Sequence, residues 1–254
     1  MKAPLAILLT GLAGAALAQT PDPPRSGFSY LTPQTQAQQK DEFANPGMFW
    51  VEEGERLWRA RDNAAGKSCA DCHGDAASSM RGLAARMPAY DAKAQRVINL
   101  EQRIEMCRTE NEKSPTYGYE SRPLLALTAY LGRQSLDLPV AVKTDGPAGQ
   151  SYVRGRTFFA ARRGQLDLSC AQCHDERAGQ HLFGEVISQG QINGFPIYRQ
   201  LWGTLGSTHR MFAWCNEAVR AEPYAAGSQE YVDLELYVRA RGNGLAVETP
   251  AVRR

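Results

Sequence analysis

The pentapeptides Cys69-Ala-Asp-Cys72-His73 and Cys170-Ala-Gln-Cys173-His174 place two thiols and an imidazole in the same order at two points of the chain, 101 positions apart. Thiols separated by two residues reach the two vinyl groups of one porphyrin as thioethers, and the histidine that follows reaches the iron as its proximal ligand. The spacing therefore predicts two covalently bound haem c groups, one on Cys69, Cys72 and His73 and one on Cys170, Cys173 and His174. A redox dithiol or half of a zinc site would use similar thiols. A zinc site needs a second ligand pair at matching spacing, however, and a redox dithiol has no need of the following histidine.

The chain has six cysteines, and the remaining two, Cys107 and Cys215, each follow one of the motifs. They bear on what binds each iron on its open side. Met80, Met87 and Met106 are candidates for the first haem, and His181, His209 and Met211 for the second. The sequence repeats itself, and the repeat separates these candidates. Pro88-Ala-Tyr90 matches Pro196-Ile-Tyr198, and nineteen residues lead from each proline to the extra cysteine. In that register Met106 meets Trp214, Met211 meets Arg103 and His209 meets Glu101, so only the cysteine recurs. Cys107 and Cys215 are the favoured distal ligands; a Cys107–Cys215 disulfide or two free buried thiols remain open alternatives.

These residues need elements to position them. Gly54-Glu-Arg-Leu-Trp58 precedes the first motif as Gly155-Arg-Thr-Phe-Phe159 precedes the second, and the apolar segment Leu124–Leu131 is answered by Tyr231–Val238. The spacing predicts helices over Glu53–Arg61, over Arg96–Cys107 and in the two closing segments, and no stretch shows sustained strand alternation. The fold class is mainly α, with two tandem cytochrome c-like haem domains related by internal duplication, in which the cofactor supplies much of each core. The divisions expected are a signal peptide over 1–18, an extended N-terminal arm over 19–45, a first domain over 46–140, a linker over 141–151 and a second domain, holding the active site, over 152–254.

Lys2, the small and apolar run Ala3–Ala18 and its Ala16-Leu17-Ala18 ending are a secretory leader pattern, which predicts export to the periplasm, where c-type haem is attached in bacteria. No later run is long and apolar enough to span a membrane. The formal charge of +2 predicts neither nucleic-acid nor membrane binding. Ionic recognition has to be local, and His209, Arg210 and Arg220 cluster around Cys215 in sequence. A thiolate ligand lowers a haem's potential and keeps a nucleophilic sulfur deprotonated, which suits sulfur chemistry. An arginine fork beside it suits a small oxyanion, although a solvated helix face would contain the same residues.

The two motifs, Cys107-Arg-Thr-Glu with Tyr119-Glu-Ser, Asn193-Gly-Phe-Pro through Cys215-Asn-Glu, and Arg220-Ala-Glu-Pro-Tyr224 together resemble SoxA, the dihaem subunit of the thiosulfate-oxidising SoxAX cytochrome. That resemblance covers most of the mature chain. It implies an L-cysteine S-thiosulfotransferase with a small monohaem cytochrome partner (SoxX-like), a sulfur-carrier protein (SoxYZ-like), thiosulfate as substrate and a soluble cytochrome acceptor. By the same resemblance Cys107 and Cys215 are distal ligands, and Cys215 is the catalytic cysteine, able to carry an extra sulfur as a persulfide. The family's substrate-binding arginine commonly stands four residues before that cysteine, where this chain has Met211, so either Arg210 serves instead or the anion site is altered. A thiosulfate dehydrogenase releasing tetrathionate and a non-catalytic dihaem electron carrier are the competing readings.

Overall fold

The computed structural model describes residues 23–61, 63–182 and 184–254. The leader over 1–18 lies outside the described residues. One series of elements occurs twice. The first run comprises α2 (Met48–Arg59), α3 (Cys69–His73), a hairpin of β1 (Ala89–Asp91) and β2 (Arg96–Ile98), α5 (Leu100–Glu110) and α6 (Arg122–Arg133). The second comprises α7 (Gly149–Ala160), α8 (Cys170–His174), a hairpin of β5 (Ile197–Arg199) and β6 (Thr204–Gly206), α9 (Thr208–Ala218) and α10 (Gln229–Arg241). The hairpins share a register: Tyr90 faces Val97 as Tyr198 faces Leu205. Unmatched additions are α1 (Pro33–Lys40) before the first run, the short α4 (Ala76–Ser79), the pair β3 (His181–Leu182) and β4 (Glu185–Val186), and β7 (Ala251–Arg253), which joins β5 in parallel.

A helix crossing anchors each run, and glycine makes both crossings possible. A Cβ on Gly54 would lie 2.1 Å from the carbonyl oxygen of Ala126, and one on Gly155 would lie 2.0 Å from that of Asp233. Only a residue without a side chain lets α2 sit so close to α6, and α7 to α10. Around the first crossing pack Trp58, Leu124, Leu127 and Tyr130; around the second, Phe159, Phe212, Tyr231 and Leu234. Each such fully buried large side chain contributes about 1.5–3 kcal/mol. A third cluster, with Val97, Val140, Val232, Leu236 and Val247, joins the two halves.

Three local expectations are corrected. The helix expected from Arg96 begins at Leu100, because Asn99 accepts the backbone N–H of Gln102 at 3.0 Å and closes a capping box, leaving Val97 in a strand. The strands of the small sheets are two or three residues long, too short to display alternation in sequence. The described part of the N-terminal arm is not extended: it forms a 3-10 turn at Gly27–Tyr30 and then α1. It lies on the C-terminal half, where Asn45 Nδ2 donates to Pro250 O at 2.9 Å and Arg253 Nη1 to Gln39 Oε1 at 2.7 Å.

Polar side chains also bridge the halves. Arg239 donates to Ile192 O at 2.6 Å and to Ala84 O at 3.0 Å. Asn99 Nδ2 donates to Glu235 Oε2 at 2.9 Å, and Glu101 is buried nearby with its carboxyl pushed upward, first by burial and then by Glu235. Glu101, Glu235 and Arg239 line a small cavity of about 30 Å³ with Thr128 and Thr208.

Candidate functional site

Both haem motifs fold into single helical turns with the same start. Ser68 accepts the N–H of Asp71 and Ser169 that of Gln172, while Asp71 and Gln172 return the bond to the serine backbone. A closed capping box stabilises a helix end by about 1 kcal/mol and fixes where its first residues point, here Cys69 and Cys170.

The structure places each extra cysteine with its own motif. Cys69 is pushed up to about 12 by burial, then by Glu112, with Cys107 adding to the effect. Cys107 is raised by burial and, among lesser causes, by Cys72, while Arg103 pulls it down. Cys69, Cys72 and Cys107 are therefore near neighbours. In the second half, burial pushes Cys215 up to about 12, Cys170 and Cys173 add to it and Arg199 opposes it. Cys170 stands at about 11, raised chiefly by burial and lowered by Arg163. No disulfide joins Cys107 to Cys215.

His174 is held for ligation. Its Nδ1 faces Ser188 O at 2.8 Å and donates to it, which leaves Nε2 for a ligand bond, and burial lowers its proton affinity. The carbonyl loop comes this close because Gly190 has φ +74° and a Cβ there would lie 2.9 Å from the His174 ring. His73 packs against Trp58, with ring centroids 5.8 Å apart, and Trp58 Nε1 donates to Gly74 O at 3.1 Å.

These residues fit haem c. Each half provides two thiols and an imidazole on one turn, with a third thiol on the facing helix, α5 or α9. Half-buried Met80, Leu83 and Tyr117 pack against the first core together with Cys69 and Ala70 of its motif, and Phe158 and Phe195 against the second together with Cys170 and Ala171. Burial raises Cys107 and Cys215, and a bound metal ion would supply the positive charge that favours their thiolates.

The other candidates lie elsewhere. His209 is 1% exposed. Its Nδ1 accepts the N–H of Gly227 at 2.9 Å, its Nε2 is 3.0 Å from Glu235 Oε2, and its ring stacks on Tyr119 at 5.3 Å. It belongs to the network between the halves. His181 is exposed on β3. Met87 and Met106 pack in or against the first core.

Arg210 is turned to the ring of Trp202, 4.3 Å away, and lies 4.0 Å from Glu120. Arg220 is exposed on the turn after α9. The arginine that acts on Cys215 is Arg199, at the end of β5. Sequence reading missed it because it lies sixteen residues before Cys215, and only the hairpin brings it back against α9. The repeat carries a signal that points to it: the positions holding Arg199 and Met211 in the second half hold the ion-paired Asp91 and Arg103 in the first.

Residues 53–140 match the family model described as the SoxA/TsdA cytochrome c domain. The L-cysteine S-thiosulfotransferase subunit SoxA of Rhodovulum sulfidophilum is 44% identical over 94% of this chain and 83% of its own. That of Paracoccus pantotrophus is 37% identical over 98% and 86%. The crystal structure of SoxXA from P. pantotrophus superposes with a TM-score of 0.88 over 91% of this chain and 87% of that one. The chain belongs to the SoxA family of cytochrome c proteins.

Proposed function

We propose that this protein is the dihaem subunit of an L-cysteine S-thiosulfotransferase and that Cys215 is its catalytic residue. It is organised as two haem-binding units, 46–140 and 152–254, joined by 141–151, and each unit holds one haem c. Cys69 and Cys72 attach the first haem, with His73 and Cys107 as its axial ligands. Cys170 and Cys173 attach the second, with His174 and Cys215. When bound, the haems provide the route by which electrons leave. The reading rests on one juxtaposition above all: in a SoxA-family chain, the lone thiol of α9 adjoins the second motif and a buried arginine.

The overall change is balanced. A carrier cysteine thiol and thiosulfate, a dianion, form one sulfur–sulfur bond, giving a carrier-bound S-thiosulfonate that keeps one negative charge. One proton and two electrons are released. Cys215 sulfur forms a sulfur–sulfur bond with one reactant, and exchange passes it to the other. The chain's own part is to hold that sulfur in a buried, water-poor place and to draw an anion to it. A small monohaem cytochrome subunit of the SoxX type and a carrier of the SoxYZ type are the partners, with a soluble cytochrome as final acceptor. No helix among the described residues is long and apolar enough to cross a membrane, and the leader pattern in the sequence supports a periplasmic location.

Replacing Cys215 with Met tests the assignment. Turnover, followed as mass gain on the carrier, should fall by about a thousandfold or more, the scale of removing a nucleophile, with both haems still attached. Unchanged turnover contradicts the role. Tetrathionate released with no mass gain on the carrier identifies a dehydrogenase instead.

A further inference from the structure

Arg199 is a guanidinium whose surroundings are almost complete. It is 7% exposed. Its faces are bounded by two indoles, with Cζ 5.2 Å from the Trp202 ring centre and 4.5 Å from that of Trp214. Nε donates to Arg254 O at 2.9 Å, and Nη2 lies 3.3 and 3.4 Å from the two oxygens of Glu185. Among the described residues, Nη1 meets the thioether of Met211 and no other acceptor, with the sulfur at 3.8 Å. A thioether is a poor acceptor, so one edge of a buried cation lacks a strong partner.

That edge lies against α9. Met211 lies one turn before Cys215 on α9, and Trp214 immediately precedes it. Arg199 is also the cation that acts on the Cys215 sulfur. The first half shows the contrast. There the same two positions hold Asp91 and Arg103, which pair with each other. In the second half the acid has become arginine and the arginine methionine, so the pair between these two positions is lost: Arg199 takes its acid from Glu185 instead, and its Nη1 edge meets a thioether.

We propose that Arg199, through its Nη1 edge, binds the sulfonate oxygens of thiosulfate at Cys215 and sets the site's preference for a sulfur oxyanion. The indoles of Trp202 and Trp214 lock the plane of the fork, and Glu185 with the Arg254 carbonyl holds its far side, so little freedom is lost when the anion arrives. Met211 occupies the edge without competing for it. This inference rests on the assignment of Cys215 as the reacting sulfur.

The test is equilibrium binding of thiosulfate to the ferric dihaem protein, without carrier or acceptor, by calorimetry, alongside paramagnetic resonance of the haems. A charge-assisted hydrogen bond is worth about 1.5–3 kcal/mol, which converts to roughly a 10- to 100-fold weaker Kd in Arg199→Gln. Arg199→Lys should recover part of that loss, and Arg210→Gln should change Kd less than about twofold, with the resonance signals kept in all three. Met211→Glu leaves Arg199 in place and offers its edge an acid, so it should weaken binding by a similar factor even where Arg199→Gln fails to fold. Wild-type affinity in Met211→Glu, or in a folded Arg199→Gln, overturns the proposal, as does a loss confined to Arg210→Gln. No thiosulfate binding by the unaltered protein defeats the Cys215 assignment itself and takes the inference with it.

Discussion

Gly155→Ala perturbs the crossing that sets the second haem motif against its core. The added Cβ would stand 2.0 Å from the Asp233 carbonyl oxygen and 2.8 Å from Tyr237 Cβ, where ordinary contact begins at 3.4 Å. Backbone cannot swing aside as a side chain can, so α7 and α10 must part by more than about 1 Å, and overpacking of this kind costs up to about 3 kcal/mol. Alanine recovers about 1 kcal/mol of helix propensity. The remaining loss of about 2 kcal/mol lowers Tm by roughly 4–8 °C in a chain of this size. Gly149→Ala in the same helix is the control: its Cβ would meet only Thr144 O at 3.7 Å, and its backbone is already right-handed helical. That change should raise stability by about 0.4–1 kcal/mol. Thermal unfolding of the two holoproteins, followed by circular dichroism, decides it. If Gly155→Ala melts at or above Gly149→Ala, glycine is not what permits the crossing and the reasoning fails.

Gly190→Ala should push the Ser188 carbonyl off His174. The residue must hold φ +74° and its Cβ would press the ring at 2.9 Å, so a cost of about 1 kcal/mol for the backbone adds to the displaced histidine. The absorption spectrum should show the second haem changed in ligation and the first intact; an unaltered spectrum refutes this. Glu101→Gln tests the network between the halves. The Glu101 carboxyl is raised in the folded protein, by burial first and by Glu235 and Glu120 after it, while Arg239 opposes them. Its neutral form therefore contributes fully below the unfolded carboxyl pKa of about 4.3, and that contribution is lost as pH rises through the folded value. Relative to the parent, the glutamine variant should gain stability between pH 5 and pH 8, by about 1.4 kcal/mol for each tenfold rise in the carboxyl's proton affinity on folding. Urea unfolding at both pH values measures it, and an equal difference at the two would be contradictory.

The two Cys-x-x-Cys-His motifs are legible in sequence because the chemistry proposed for them fixes their spacing, and Cys107 and Cys215 stand out because they recur in the same register. The helices α6 and α10 were legible from their apolar faces. What was not legible depended on short-range geometry or on pairing across the fold. The start of α5 is decided by one Asn99–Gln102 cap, not by apolar periodicity. The position of Arg199 depends on a three-residue strand whose partners lie on both sides of it in sequence, β6 after it and β7 at residue 251 onward. Arg210 is nearer to Cys215 in sequence, yet its position on α9 turns it to Trp202 and Glu120. Proximity along the chain was a poor guide to proximity in space.

Electron paramagnetic resonance of the ferric dihaem protein and of Cys215→Met tests the central claim most directly. The account predicts low-spin thiolate–imidazole signals in the parent, with the component belonging to the second haem, and no other, replaced in the variant. Thioether or bis-imidazole signals in the parent, or a spectrum that the substitution leaves unchanged, would contradict the account.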